Sequence, residues 1–122
     1  MPRHLLTESE IHPAVRDVIA NNNRDLVDEI RAAVASNDVV VVGMAMNPVP
    51  TKARKALTEA GIPFKYLEYG SYLSLWRRRN AIKMWTGWPT FPQIFVKGTF
   101  IGGHTDMVKL MNSGELQRML GR

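Results

Sequence analysis

The sequence predicts an α/β fold: a four-stranded mixed sheet flanked by helices, with an extra N-terminal helix. Three observations predict it. Val39 to Val42 are four consecutive β-branched residues, apolar on both faces as a buried central strand requires. Helical periodicity follows that run and leads to a second strand, which makes a β-α-β unit. Two short strands flanking Lys97-Gly98 then form a hairpin, and a β-α-β unit followed by a hairpin and a helix implies a mixed sheet covered on both faces.

The elements run in order. Pro13 to Ala20 form a first helix, with proline at the opening turn. Asn21-Asn22-Asn23 break it, and Arg24 to Ala35 form a second, whose Leu26, Val27, Ile30 and Val34 recur at helical spacing. Ser36-Asn37-Asp38 end that helix before the valine strand. Lys52 to Ala60 form a helix stopped by Gly61, and Phe64 to Glu68 alternate as a strand. Tyr69-Gly70-Ser71 is a turn, and Leu73 to Trp85 a longer helix. Strands at Gln93 to Val96 and Thr99 to Ile101 enclose the hairpin turn. Asp106 to Met111 and Glu115 to Leu120 are the closing helices, separated by Ser113-Gly114.

Composition bounds what this fold can do. A chain of 122 residues supports one compact domain with a core, and 45% apolar content is that of a globular protein. There are no cysteines, which excludes disulfides, thiolate nucleophiles and thiolate-bound clusters. The first twenty residues are polar and charged, unlike a signal peptide. The longest apolar run, Val39 to Met46, falls far short of the roughly 20 residues that span a bilayer. A soluble cytoplasmic protein is expected.

The net charge is +5, with a cluster at Trp76, Arg77, Arg78, Arg79 and Lys83. Such a cluster can attract nucleic acid, a membrane surface or a small anion, or simply be a solvated helix face. No nucleic-acid motif accompanies it, which makes nucleic acid the weakest of these readings, and no membrane partner is expected. Trp76 and Trp85, nine residues apart on one helix, cannot both face the core, which leaves one partly exposed.

The stretch "VGMAMNPVPTKARKAL", residues 42–57, has the layout that presents a reactive group at a strand-to-helix turn, yet it carries no such group. Asn47 is a strong N-cap with Pro48 at the first helical position. Pro50 disfavours helical angles at Val49, which makes Thr51 the alternative cap.

"WPTFPQIFVKGTFIGG", residues 88–103, resembles the C-terminal half of a glutaredoxin, especially of the single-cysteine class. "NSGELQRML", residues 112–120, resembles the closing helix of that class, and "SNDVVVVG" fits its first core strand. The resemblance spans residues 24–120 and implies a thioredoxin-like fold. It makes residues 24–122 the glutaredoxin-like domain and residues 1–23 an N-terminal helical extension. That extension and the "YGSYLSLWRRRN" insertion lie beyond the family pattern.

The resemblance also implies a site. Glutaredoxins place Cys-Pro-X-Cys, or one cysteine, where this chain has Asn47-Pro48-Val49-Pro50; Asn47 and Pro50 occupy the cysteine positions. A carboxamide cannot attack a disulfide, so no catalytic residue is expected by the family route. Phe91-Pro92 matches the family's cis-proline, whose preceding residue pairs its main chain with glutathione as an added strand. Gly103, His104 and Thr105 match the helix start that receives the γ-glutamyl end, with Thr105 in place of an aspartate and Asp106 one residue later. His104 is expected without catalytic duty. Arg79 matches the arginine that reaches the glycine carboxylate, with Lys83 one turn on, while Met44 replaces a lysine of many relatives.

The expected function is thus a redox-inactive glutaredoxin-related protein that binds glutathione or a peptide strand beside Phe91 and Pro92. No cofactor is required, and no iron–sulfur cluster is expected without the ligating cysteine. The alternatives are a protein-interaction module using the Trp76 to Lys83 surface, and a glutathione-dependent transferase or oxidoreductase-like activity in cell redox homeostasis.

Overall fold

A computed structural model of the chain describes residues 3–70 and 76–121, with side chains from Arg78 onward in the second stretch. A short 3-10 turn at Glu8–Glu10 precedes α1 (Pro13–Asn21) and α2 (Arg24–Ser36). The core unit is β1 (Val39–Gly43), α3 (Pro48–Glu59), β2 (Lys65–Glu68), α4 (Trp76–Thr86), β3 (Gln93–Val96), β4 (Thr99–Gly102), α5 (His104–Ser113) and α6 (Glu115–Met119).

The four strands form one mixed sheet in the order β2-β1-β3-β4. β1 runs parallel to β2, with Val41 opposite Tyr66, and antiparallel to β3, with Val41 opposite Ile94. All five β1 residues are buried. Because successive strand side chains point to opposite faces, the valines split between two cores. Val40 and Val42 pack with Leu26 and Ile30 of α2 and Ile82 of α4. Val39 and Val41 pack with Ala53 and Leu57 of α3, Met107 of α5 and Leu116 of α6. The unbroken valine run is thus explained: neither face of β1 meets water.

The hairpin turn has Lys97 at φ 50° and Gly98 at φ 80°, the paired left-handed geometry of a type I′ turn. Trp85 is 36% exposed and stacks on Phe95 with ring centroids 5.7 Å apart. The Trp76 side chain, and Leu73 to Leu75 and Ser71 of the expected helix and turn, lie outside the described residues. α1 has no buried residue; Val15, Val18 and Ile19 face outward.

Two helices start earlier than their periodicity predicts. α3 begins at Pro48, not Lys52, so Asn47 and not Thr51 is its cap. Two prolines are tolerated there because the first-turn N–H groups have no intrahelical acceptor in any case. α5 begins at His104, not Asp106, because the Asp106 carboxylate folds back to accept the Gly103 N–H at 3.0 Å.

Candidate functional site

The starts of α3 and α5 border a cleft of about 480 Å³, closed on one side by the Trp88–Pro92 loop and by Lys83 of α4. That volume suits a small ligand. Of the residues singled out in the sequence, Asn47, Phe91, Pro92, Gly103, His104 and Thr105 all line it.

The loop is held by a buried glutamine. Gln93 is fully buried; its Oε1 accepts the Thr86 hydroxyl at 2.6 Å, and its Nε2 donates to the Trp88 carbonyl at 3.1 Å. The Trp88 N–H in turn donates to Thr86 Oγ1 at 3.2 Å. One side chain therefore ties the end of α4 to the loop before the Phe91–Pro92 bond, which is cis. Among the described residues no hydrogen bond engages the Phe91 main chain, which leaves its N–H and C=O available to a ligand.

The two helix starts differ. At α3, Pro48 and Pro50 have no N–H, and the Val49 N–H is taken by Asn47 Oδ1 at 3.0 Å. At α5, the N–H groups of His104 and Thr105 occupy the first two helical positions and have no intrahelical acceptor. Gly103 cannot serve a ligand in the same way, since its N–H is bound to Asp106.

Two further polar atoms beside this start, Trp88 Nε1 and His104 Nδ1, are buried without a hydrogen-bond partner. The cation of the cleft is Lys83, whose ammonium lies 5.7 Å from the Phe91 ring centroid. Arg79, matched to a ligand carboxylate by the resemblance, is instead 6% exposed and donates to the Tyr69 carbonyl at 3.4 Å. It sits one helical turn back from Lys83, on the side of α4 that meets the core, and does not line the cleft. Pro50 is also buried, behind the turn, and does not line the cleft.

The basic surface expected from Trp76 to Lys83 is divided. Arg78 turns to α2, where it donates to Asp25 at 3.0 Å and lies 3.4 Å from Asn23 Oδ1, while Lys83 serves the cleft. The Trp76 and Arg77 side chains are outside the described residues. Among the described residues no group of three or more His, Cys, Asp or Glu could hold a metal ion, and no helix is long and apolar enough to cross a membrane.

Comparison with known proteins places this architecture. The glutaredoxin family model matches residues 39–101, just over half of the chain. The chain belongs to the glutaredoxin family. A glutaredoxin-like protein of Dictyostelium discoideum is 48% identical over 93% of this chain and 91% of its own length. A wheat glutaredoxin structure, 30% identical, covers 79% of this chain and 91% of its own with a TM-score of 0.68. A buckwheat glutaredoxin–glutathione complex is 21% identical, covers 83% of this chain and 92% of its own, and shares the fold with a TM-score of 0.70.

This chain is therefore a glutaredoxin-related protein with no cysteine. Sequence reasoning missed Gln93 as the anchor of the loop and ranked Arg79 ahead of Lys83. A glutamine inside an otherwise apolar strand, QIFV, was the available signal for the first. For the second no signal existed, because which of two cations on one side of a helix turns inward is decided by tertiary packing.

Proposed function

We propose that this glutaredoxin homologue is a redox-inactive binding protein whose ligand is glutathione or a short extended peptide held along Phe91. The observation that carries the reading is the set of polar groups left open around one cleft. Among the described residues, the Phe91 main chain and the His104 and Thr105 N–H groups have no partner. Main-chain N–H and C=O groups without a protein partner are ready hydrogen-bond sites, so several bordering one cleft favour an occupant that bonds them. Lys83 adds positive charge for a carboxylate.

The buckwheat relative, a glutathione complex, supplies the natural first ligand. An extended tripeptide with a carboxylate at each end matches main-chain groups at Phe91, N–H groups at α5 and an ammonium at Lys83. The chain has no thiol to exchange with a disulfide, and the cleft donors Asn47, His104, Thr105 and Asp106 do not fit a thiolate-held iron–sulfur cluster. Without the cysteine, each lost contact removes about 1 kcal/mol, which leaves affinity near the millimolar range.

Titration of the full chain with glutathione, followed by amide NMR, tests the reading. Phe91, His104 and Thr105 amides shift together and saturate. Amides that stay still up to about 20 mM ligand, several-fold above a millimolar dissociation constant, refute it.

A further inference from the structure

The contrast between the two helix starts says what the cleft can accept at each end. Near α5 and Lys83 an anion finds two open N–H groups and an ammonium. At α3 it finds none of these, because two first-turn residues are prolines and the third N–H is held by Asn47. What lines that end instead is Met44, 6% exposed, together with Val49 and the Asn47 amide.

We infer, resting on the glutathione reading above, that this cleft selects glutathione carrying a neutral apolar substituent on sulfur over glutathione itself and over derivatives charged at sulfur. Both carboxylates of the tripeptide need donors, and those donors cluster at α5 and Lys83. The cysteinyl sulfur then falls towards Met44, Val49 and Asn47. A negative charge there would lose water and gain only the carboxamide N–H of Asn47, which is unfavourable. An alkyl group there buries apolar surface against the Met44 and Val49 side chains, which is favourable. The prolines are the device: they keep the turn helical while removing the N–H groups that would reward an anion.

The test uses the full chain and four probes: glutathione, S-methylglutathione, S-butylglutathione and glutathione sulfonate, each followed by amide shifts. Affinity rises about threefold to fourfold for each buried carbon, so S-butylglutathione binds at least about tenfold tighter than glutathione. Glutathione sulfonate binds weakest. Pro48→Ala, at an exposed position, restores one N–H and raises sulfonate affinity at least about threefold, the worth of one modest charge-assisted bond, with S-butylglutathione little changed. Pro48→Ala with Pro50→Ala enlarges that gain, and the single variant decides the matter should the double one fail to fold.

S-butylglutathione no tighter than glutathione, or a sulfonate tighter than S-methylglutathione, overturns this selectivity while leaving the glutathione reading intact. A sulfonate affinity unmoved by Pro48→Ala overturns the helix-start cause. No amide shift with any of the four overturns both readings together.

Discussion

Pro50 packs directly over Gly43: a Cβ at Gly43 would stand 2.8 Å from the Pro50 Cβ and 2.9 Å from Tyr66 Cε1. Pro50 is therefore a buried wedge between the first turn of α3 and the end of β1. The proline ring fills the space above the one β1 residue that has no side chain.

Gly43→Ala is accordingly expected to destabilise the fold by about 1–3 kcal/mol, the usual cost of overpacking a core. Its neighbours are a proline ring and the ring of Tyr66, neither of which moves freely. A urea denaturation midpoint equal to that of the wild type would show that the turn can yield.

Much of this was legible from local chemistry. The valine run announced a strand buried on both faces because only a central strand can be apolar throughout, and the Lys97-Gly98 turn announced the hairpin. Helix starts were misjudged where a side-chain contact at the turn itself defined them. Asp106 reaches back to Gly103, and Asn47 reaches forward to Val49 across Pro48, so periodicity alone placed both starts too late. The division between Arg79 and Lys83 was not legible at all, since both suit a helix facing a cleft and tertiary packing, the Tyr69 carbonyl included, decides which is buried.

Gln93→Ala is expected to cost about 2–4 kcal/mol, because it strands the Trp88 carbonyl and leaves a cavity beneath the loop. Amide shifts should change most from Trp88 to Phe91, and ligand binding should fall with them. Gln93→Glu keeps the volume and the acceptor but loses the donor to the Trp88 carbonyl, so it separates the hydrogen bond from the packing. Loss of stability without any disturbance of the loop amides would show that Gln93 is merely core.

Alkaline pH should destabilise the protein through two tyrosines. Burial, then its bond to Glu68 at 2.9 Å, pushes the Tyr66 hydroxyl up to about 12. Burial, then its bond to Glu29 at 2.8 Å, pushes Tyr69 up as well. The unfolded chain releases these protons near pH 10, while the folded chain still holds them. The unfolded state then binds fewer protons, so the stability they confer is fully present below about pH 10 and is lost as pH rises from there towards 12. Tyr69→Phe should flatten part of that fall, and Tyr66→Phe another part. Denaturation midpoints that drop equally in wild type and in both variants between about pH 9 and pH 11 would assign the loss elsewhere.

Lys83 and Arg79 should separate function from stability although they lie on one helix. Lys83 lines the cleft, and no carboxylate among the described residues pairs with it. Lys83→Gln therefore removes a ligand partner and little else: glutathione affinity falls about tenfold, while the stability from urea denaturation changes by less than about 0.5 kcal/mol. Arg79 is buried against the Tyr69 carbonyl, so Arg79→Gln leaves acceptors without their charged donor and costs about 1–3 kcal/mol of stability. Affinity measured well below that variant's midpoint should stay within about threefold of wild type, because no contact to the ligand has been removed. Calorimetry and urea denaturation on the same two variants decide it. The opposite pattern, with Arg79→Gln folded but blind to glutathione and Lys83→Gln indifferent, would return the carboxylate to Arg79 and require α4 to turn when the ligand binds.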